Sequence, residues 1–499
     1  MHNKVEVVKK IDDIKASEEK SGELSFENEF IKPIFKDMFK YSPYKLVALI
    51  LNIITVPIYT MFLSPSDYGL YSISIATLSF ICIIFSDWIG LSALRFFEEQ
   101  QIKHNVAQYF GTLVTLLSVN LLMMFSCSYI FRHKICDFFH IPPRFLLIIT
   151  ILIIPVAVRA LLLQVLRAQI KPGSYSSSMI LNQIFTMIFA VLFIKYFALA
   201  PEGIIFAMTV VITFIDLMLI HQTNILKTIS FKGLKKETWF KLCQYGMPLA
   251  VGQLSLWIMT QSNKFILQHY KGSFANGIVG VSYNLTYSII LSLFSIFIMA
   301  AMPRIIQMYE KKQDVVRTIS IISGHLIAMT MPFVIVFSLY PLDFVHLLAN
   351  SKFSQAYIII PAMSLSVMFM LLAEFTTIQY HLVNKTYIDT ILKLAAGGFG
   401  IVLNILLIPK FGIIAVGYTA LTVNVCYFFL SLFVVVDKLK WKFPKVEFAM
   451  FILSSIPLFI AYFVLSKLNA HFTISMLILL FVYYFTYYML NKKRFAQIN

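Results

Sequence analysis

An all-α polytopic membrane fold is predicted by three features of this sequence. Of its 499 residues, 59% are apolar and 13% charged, and the mean hydropathy of +0.80 lies well outside the range of soluble proteins. The apolar residues come in continuous runs of about twenty, the length a helix needs to cross roughly 30 Å of hydrocarbon. The lysines and arginines between those runs are concentrated in alternate segments. A β-barrel is excluded, because its strands would alternate in polarity over about ten residues instead of running apolar throughout.

Taken in order, residues 1–43 form a cytoplasmic segment that mixes acids and lysines without an apolar core, so no cleavable signal peptide is expected. Within it, "PIFKDMFK" places Ile34, Phe35, Met38 and Phe39 on one helical face, as in a helix lying on the membrane surface; a solvated leader fits equally well. Fourteen apolar windows follow, at about 44–63, 69–90, 106–131, 145–165, 176–198, 203–220, 246–267, 277–300, 317–339, 357–378, 388–408, 412–436, 446–466 and 473–490. With the N-terminus inside, 30 of the 41 lysines and arginines fall in inner segments, seven in outer loops and four within helices. An even number of spans returns the C-terminal "NKKRF" to the inner side. The formal charge of +17 is therefore a topology signal and a match to anionic lipid, and gives no reason to expect nucleic acid. Five scattered cysteines offer no paired external set, so no disulfide framework is expected.

The sequence repeats itself. "FIKYFALAPEGIIFAMTVVITF" (Phe193 to Phe214) matches "LIPKFGIIAVGYTALTV" (Leu407 to Val423), and "LRAQIKPGSY" (Leu166 to Tyr175) matches "HLVNKTY" (His381 to Tyr387). A six-helix repeat has an even number of spans, so both copies enter from one side and are related by an axis along the membrane normal. The expected organisation is an N-lobe of helices 1–6 (44–220), a basic cytoplasmic connector (221–245), a C-lobe of helices 7–12 (246–436), and helices 13–14 with a tail (437–499). In the connector, Trp239, Phe240 and Leu242 are expected on the membrane surface. Pro57, Pro155 and Pro248 are expected to break or bend their helices, and "AAGGFG" (Ala395 to Gly400) to allow close helix packing.

Five phrases in order, "FLSPSDYGLYSIS" (Phe62 to Ser74), "LRAQIKPGSY", "YGMPLAVGQLSLWIMTQSNKFIL" (Tyr245 to Leu267), "LLANSKFSQAY" (Leu347 to Tyr357) and "IVLNILLIPKFGIIAVGYTALT" (Ile401 to Thr422), carry a resemblance. Over about residues 44–436 the chain resembles the polysaccharide and O-antigen (lipid-linked oligosaccharide) flippases of the multidrug, oligosaccharidyl-lipid and polysaccharide exporter superfamily. It departs from them at Ser262-Asn263-Lys264, where an aspartate followed by arginine is expected. The resemblance implies two six-helix lobes in a pseudo-two-fold repeat in a bacterial inner membrane. It also implies alternating access for an undecaprenyl-diphosphate-linked oligosaccharide, polysaccharide polymerase and chain-length proteins as partners, and no cofactor.

A diphosphate crossing hydrocarbon needs compensating cations, and arginine can hold phosphate oxygens in a bidentate fork. Arg159 and Arg167, eight residues apart on helix 4, are about 12 Å apart along the axis and roughly 80° around it, so both can face one cavity. Arg167 and Lys171 fall near the cytoplasmic mouth, where both also fit as positive-inside anchors, Lys171 above all; Lys264 and Lys393 are further cavity candidates that fit equally as anchors near the interface. Pairing of Arg159 with Asp216 or Asp87 is the structural alternative. Asp87, Asp216 and Glu374, in the inner thirds of helices 2, 6 and 10, are candidates for ion coupling or for interhelical hydrogen bonds. "HKICDFFH" spaces His133, Cys136, Asp137 and His140 as zinc ligands could be spaced, but fits a short amphipathic turn better; no metal site is expected. The outer loops are too short for a membrane glycosyltransferase or polymerase, and no G-x-x-x-x-G-K-[ST] occurs, so no enzyme is expected. A cation-coupled multidrug exporter or a peptidoglycan lipid flippase of the same fold remains the alternative.

Overall fold

The computed structural model describes residues 32–437, 439–468 and 471–496. Among them are fourteen long helices: α1 (Lys32–Phe62), α2 (Pro65–Ile102), α3 (Val106–Ile130), α4 (Pro143–Ala168), α5 (Pro172–Phe197), α6 (Glu202–Thr223), α7 (236–271), α8 (273–310), α9 (Val315–Leu339), α10 (Ile360–Leu382), α11 (Thr386–Phe411), α12 (Ile413–Phe433), α13 (Lys445–Lys467) and α14 (Phe472–Ala496). Eleven of them, all but α1, α7 and α8, are long and apolar enough by length and composition to cross a membrane; in α1 the apolar part is Val47–Phe62. The chain is a multi-pass membrane protein.

Local chemistry sets several boundaries. In "FLSPSDYG" the Ser64 hydroxyl accepts from the Asp67 amide (3.2 Å) and the Asp67 carboxylate accepts from the Ser64 amide (3.2 Å), a reciprocal cap with Pro65 at the first helical position of α2. Gly272 separates α7 from α8 because its φ of 74° and ψ of −176° are open to glycine and strained for other residues. Within α2 the helix widens to a π-turn at Ile83–Asp87. Pro57, Pro155 and Pro248 lie inside helices that continue past them, so none of the three breaks its helix. The surface helix expected from Pro33 is continuous with α1, and residues 1–31 lie outside the described residues.

The packing repeats with the sequence. α1 lies on α5 as α7 lies on α11, and α2 on α4 as α8 on α10; α4 and α5 hold α6 as α10 and α11 hold α12. Small residues make the close approaches: a Cβ on Gly90 would meet Gln164 and Ala160, and one on Gly397 would meet Ile258. Gly400 packs on Val423, whereas Gly398 faces open space. The architecture is thus two six-helix lobes in pseudo-two-fold repeat. α13 and α14 stand outside it, pack on each other, and are tied to α9 where Tyr483 donates to the Ala328 carbonyl (2.9 Å) and Tyr484 to that of Met329 (2.7 Å).

The connector differs from expectation. Leu242 is fully buried against the N-lobe instead of resting on the membrane surface, because α7 begins at residue 236 and docks its first turns on α2. Trp239 is partly buried in the same cluster, and Phe240 alone of the three is exposed. Ser230 donates its amide to the Ala107 carbonyl (3.0 Å), tying the connector to the start of α3.

Candidate functional site

Because successive helices alternate in direction, the turns fall at two ends. The connector end carries the α6–α7 link; the far end carries the α1–α2 turn, the α7–α8 break and the segment 340–359. At the far end the lobes touch backbone to backbone. A Cβ on Gly69 would lie 1.8 Å from the Ser273 carbonyl oxygen, and one on Gly277 would lie 1.8 Å from that of Pro65. Around this contact Asn284 donates to the Tyr68 hydroxyl (2.8 Å), the Asn350 amide donates to Thr60 Oγ1 (3.1 Å), and Tyr68 meets Phe353 edge to face at 5.6 Å. Two of the phrases read in the sequence, "FLSPSDYG" and "LLANSKF", therefore face each other across the lobes. Glycines at 69 and 277 are what permit it, since any side chain would hold α2 and α8 apart.

A second interlobe contact at the far end joins two histidines. His140, in the left-handed conformation after the short helix Arg132–Phe139, lies 2.8 Å from His269 of α7, ring nitrogen to ring nitrogen. One imidazole donates and the other accepts, which requires at least one neutral ring. Burial first, and then the neighbouring His269, hold His140 below the ordinary histidine value, while Asp137 pulls the other way. The "HKICDFFH" side chains thus diverge: His133 receives a hydrogen bond from Arg132 (3.2 Å), Cys136 is buried, and His140 reaches the other lobe. Toward the connector end, α7 stays on α2: Trp257 donates to the Ala76 carbonyl (3.1 Å), Ser92 to that of Leu242 (3.1 Å), and Lys241 pairs with Glu99 at 3.3 Å.

The four candidate cations stand in four separate settings. Arg159 is half-buried on α4, with the carboxylate of Asp216 on α6 as the charge that acts on it. Among the described residues its buried Nη1 has no hydrogen-bond partner, nor does either carboxylate oxygen of the buried Asp216. Among the described residues neither Asp216 nor Asp87 forms an ion pair with Arg159 within 4 Å; Asp87 accepts from Ser86 (3.2 Å) in the π-turn. Arg167 is exposed and donates to Gln164 (3.1 Å). Lys171 donates to the Gln222 carbonyl (2.8 Å), fastening the α4–α5 turn to the end of α6. Lys264 is buried, its ammonium 5.0 Å from the centre of the Tyr283 ring, and Gln261 donates to that tyrosine's hydroxyl (3.3 Å).

Lys393 is committed elsewhere in the C-lobe. Its ammonium meets Asp389 at 2.8 Å and Glu374 at 3.2 Å, and Tyr427 donates to the second oxygen of Asp389 (2.6 Å). Two of its three N–H donors are thus taken up by carboxylates, which leaves little of its charge for a phosphate. Asp389 went unremarked in the sequence; its place four residues before Lys393 on one helix was the signal. Each lobe therefore buries its own mixed-charge set, Arg159 with Asp216 in one and Lys393 with Asp389 and Glu374 in the other.

Comparison with known proteins fits this geometry. An uncharacterized membrane protein of Methanocaldococcus jannaschii, MJ1068, is 26% identical over 263 residues, and the chain spans about half the length of that curated relative (49%), the match covering 50% of this chain. Among solved structures, the lipid II flippase MurJ in an inward closed conformation superposes with a TM-score of 0.75 at 13% identity, over 93% of this chain and 99% of that one. An inward-facing multidrug resistance MATE family transporter of the MOP superfamily gives 0.65 at 11% identity, over 78% and 92%. These likenesses show the fold. The family profile described as "polysaccharide biosynthesis protein" matches residues 34–309, from α1 through α8, and the chain belongs to that family.

Proposed function

We propose that this protein is a flippase that moves an undecaprenyl-diphosphate-linked oligosaccharide, a repeat unit of O-antigen, capsule or exopolysaccharide, between the leaflets of a bacterial inner membrane by alternating access. The observation that carries the reading is the far-end contact. Two lobes of transporter fold meet there through glycine-permitted backbone contacts, which can separate as a unit without unfolding either lobe. With the connector end taken as cytoplasmic, closure at the far end leaves the substrate to enter from inside. Membership in a polysaccharide biosynthesis family supports a sugar substrate. The polyprenyl tail would stay in the bilayer while the diphosphate passes cationic groups, of which Arg159 and Lys264 are, among the described residues, free of carboxylate contact within 4 Å. Arg167 would act at the mouth. The acids available for coupling to an ion gradient are Asp87, Asp216 and Glu374, the last beside Asp389. The flipped unit would pass to polymerase and chain-length proteins. No enzymatic step is assigned to the chain.

Removing the gene is expected to abolish surface glycan while its lipid-linked precursor accumulates inside the cell; glycan that persists unchanged would overturn the reading. The side assignment has its own check. A reporter active only in the periplasm, fused to the C-terminus, is expected to stay silent, and activity there would reverse the topology.

A further inference from the structure

We propose that the groove between α3 and α4 at the far end is a binding site for the phosphate headgroup of an anionic glycerophospholipid, with one acyl chain lying along its floor. The groove exists because α3 packs sparsely on α4 and buries only 22% of its apolar span, which leaves a cavity of about 530 Å³ between them. Its floor is apolar, formed by Phe125, Leu147 and Ile151, and the last two are 64% and 46% exposed on the side a bilayer would cover. Its rim carries two arginines. Arg132 and Arg144 stand where the helices end, with His133 beside Arg132, and among the described residues no carboxylate lines the cavity.

The two arginines differ. Arg144 is paired with Glu202 at 3.0 Å, whereas Arg132 has no carboxylate partner among the described residues; it donates only to His133 and lies 5.7 Å from the Tyr129 ring. A guanidinium at the edge of hydrocarbon above an apolar slot matches a lipid phosphate ester: the fork takes two phosphate oxygens and the chain fills space that lipid must occupy. Free phosphate would gain only the first of these. The site has a structural reach as well. One wall is the short helix Arg132–Phe139, which ends in His140 and its contact with His269 of the other lobe. A lipid seated in the groove fixes the element that makes this lobe-to-lobe contact, and it does so whatever substrate the protein moves.

The test is native mass spectrometry of the full-length protein in detergent, titrated with phosphatidylglycerol and phosphatidylcholine of identical chains. Phosphatidylglycerol should be retained about fivefold more strongly, the effect of one arginine near a charged headgroup. Arg132→Gln should remove that preference, and Leu147→Trp, which fills the floor, should weaken retention of both lipids. Equal retention of the two lipids by the unaltered protein, or a preference that survives Arg132→Gln, overturns the proposal. So does displacement of phosphatidylglycerol by inorganic phosphate at the same concentration, which would make the rim a bare anion site. Should Arg132→Gln fail to yield monodisperse protein, Leu147→Trp decides: undiminished retention of phosphatidylglycerol would end the proposal.

Discussion

Replacing Gly277 by valine is expected to abolish glycan export while leaving the protein inserted and abundant. A Cβ there would sit 1.8 Å from the Pro65 carbonyl oxygen, and the valine methyls would reach further, so α2 and α8 cannot keep their present distance. Forcing extra carbon into a closed contact costs about 1–3 kcal/mol or more. That cost falls on the contact between lobes and not on the interior of either, so it shifts the equilibrium between the closed and separated far end by roughly 5–150-fold and spares folding. A cysteine placed at Ser72, buried in this contact, should become reactive from the far side in the Gly277→Val background and stay protected otherwise. Gly398→Ala, where an added Cβ meets nothing within 4 Å, is the control and should export normally. Export by Gly277→Val at the unaltered rate would show that this closure takes no part in transport.

The second large effect concerns Arg159. Substitution by alanine leaves Asp216 buried, with neither oxygen hydrogen-bonded among the described residues, and removes the positive charge that acts on it. Stranding such a group costs about 1–3 kcal/mol, and more while it stays ionised, so the membrane abundance of Arg159→Ala should fall and its export be lost. Asp216→Asn added to Arg159→Ala should restore abundance. Export should remain lost in the double variant, because the diphosphate still lacks its cation, and Arg159→Lys should recover it in part at best, since an ammonium keeps the charge without the fork. Recovery of export together with abundance would reduce Arg159 to half of a structural charge couple. Asp87→Asn added instead should rescue neither, since that carboxylate accepts from Ser86 within its own π-turn and does not pair with Arg159.

These two sites differ in how far the sequence reveals them. Fourteen long helices, two lobes and the appended α13–α14 pair were readable because the length of an apolar run and the repeat are properties of the chain itself; eleven of those helices are long and apolar enough to cross a membrane. The break at Gly272 fell in a predicted loop, although the backbone there is helical on both sides. The far-end contact was not readable. Gly69 and Gly277 are far apart in sequence, and nothing local distinguishes a glycine that admits another helix from one, such as Gly398, that faces open space. Arg159 could be singled out by its depth in an apolar run, but the spacing that would let it share a cavity with Arg167 did not determine that it would. Arg159 stands in the field of Asp216 without an ion pair to it within 4 Å, and Arg167 donates to Gln164 near the connector end. Lys393 was legible only in part. Asp389, four residues earlier on the same helix, could be read as its partner, whereas Glu374 and Tyr427 come from α10 and α12, which no local spacing reveals. Leu242, expected on the membrane surface, is buried because α7 begins about ten residues before its apolar run and docks those turns on α2.

The central claim is vectorial movement of a lipid-linked sugar, and its most direct test is a flipping measurement in vesicles. Purified protein is reconstituted with an undecaprenyl-diphosphate-linked oligosaccharide bearing a fluorophore on the sugar, and an impermeant quencher reports how much label lies outside. With the unaltered protein, all of the label should become quenchable on a timescale far shorter than in empty vesicles, while Gly277→Val should leave the inner half protected. Protection of half the label in both, under conditions where the same vesicles move a cationic drug, would contradict the account and make the protein a drug exporter.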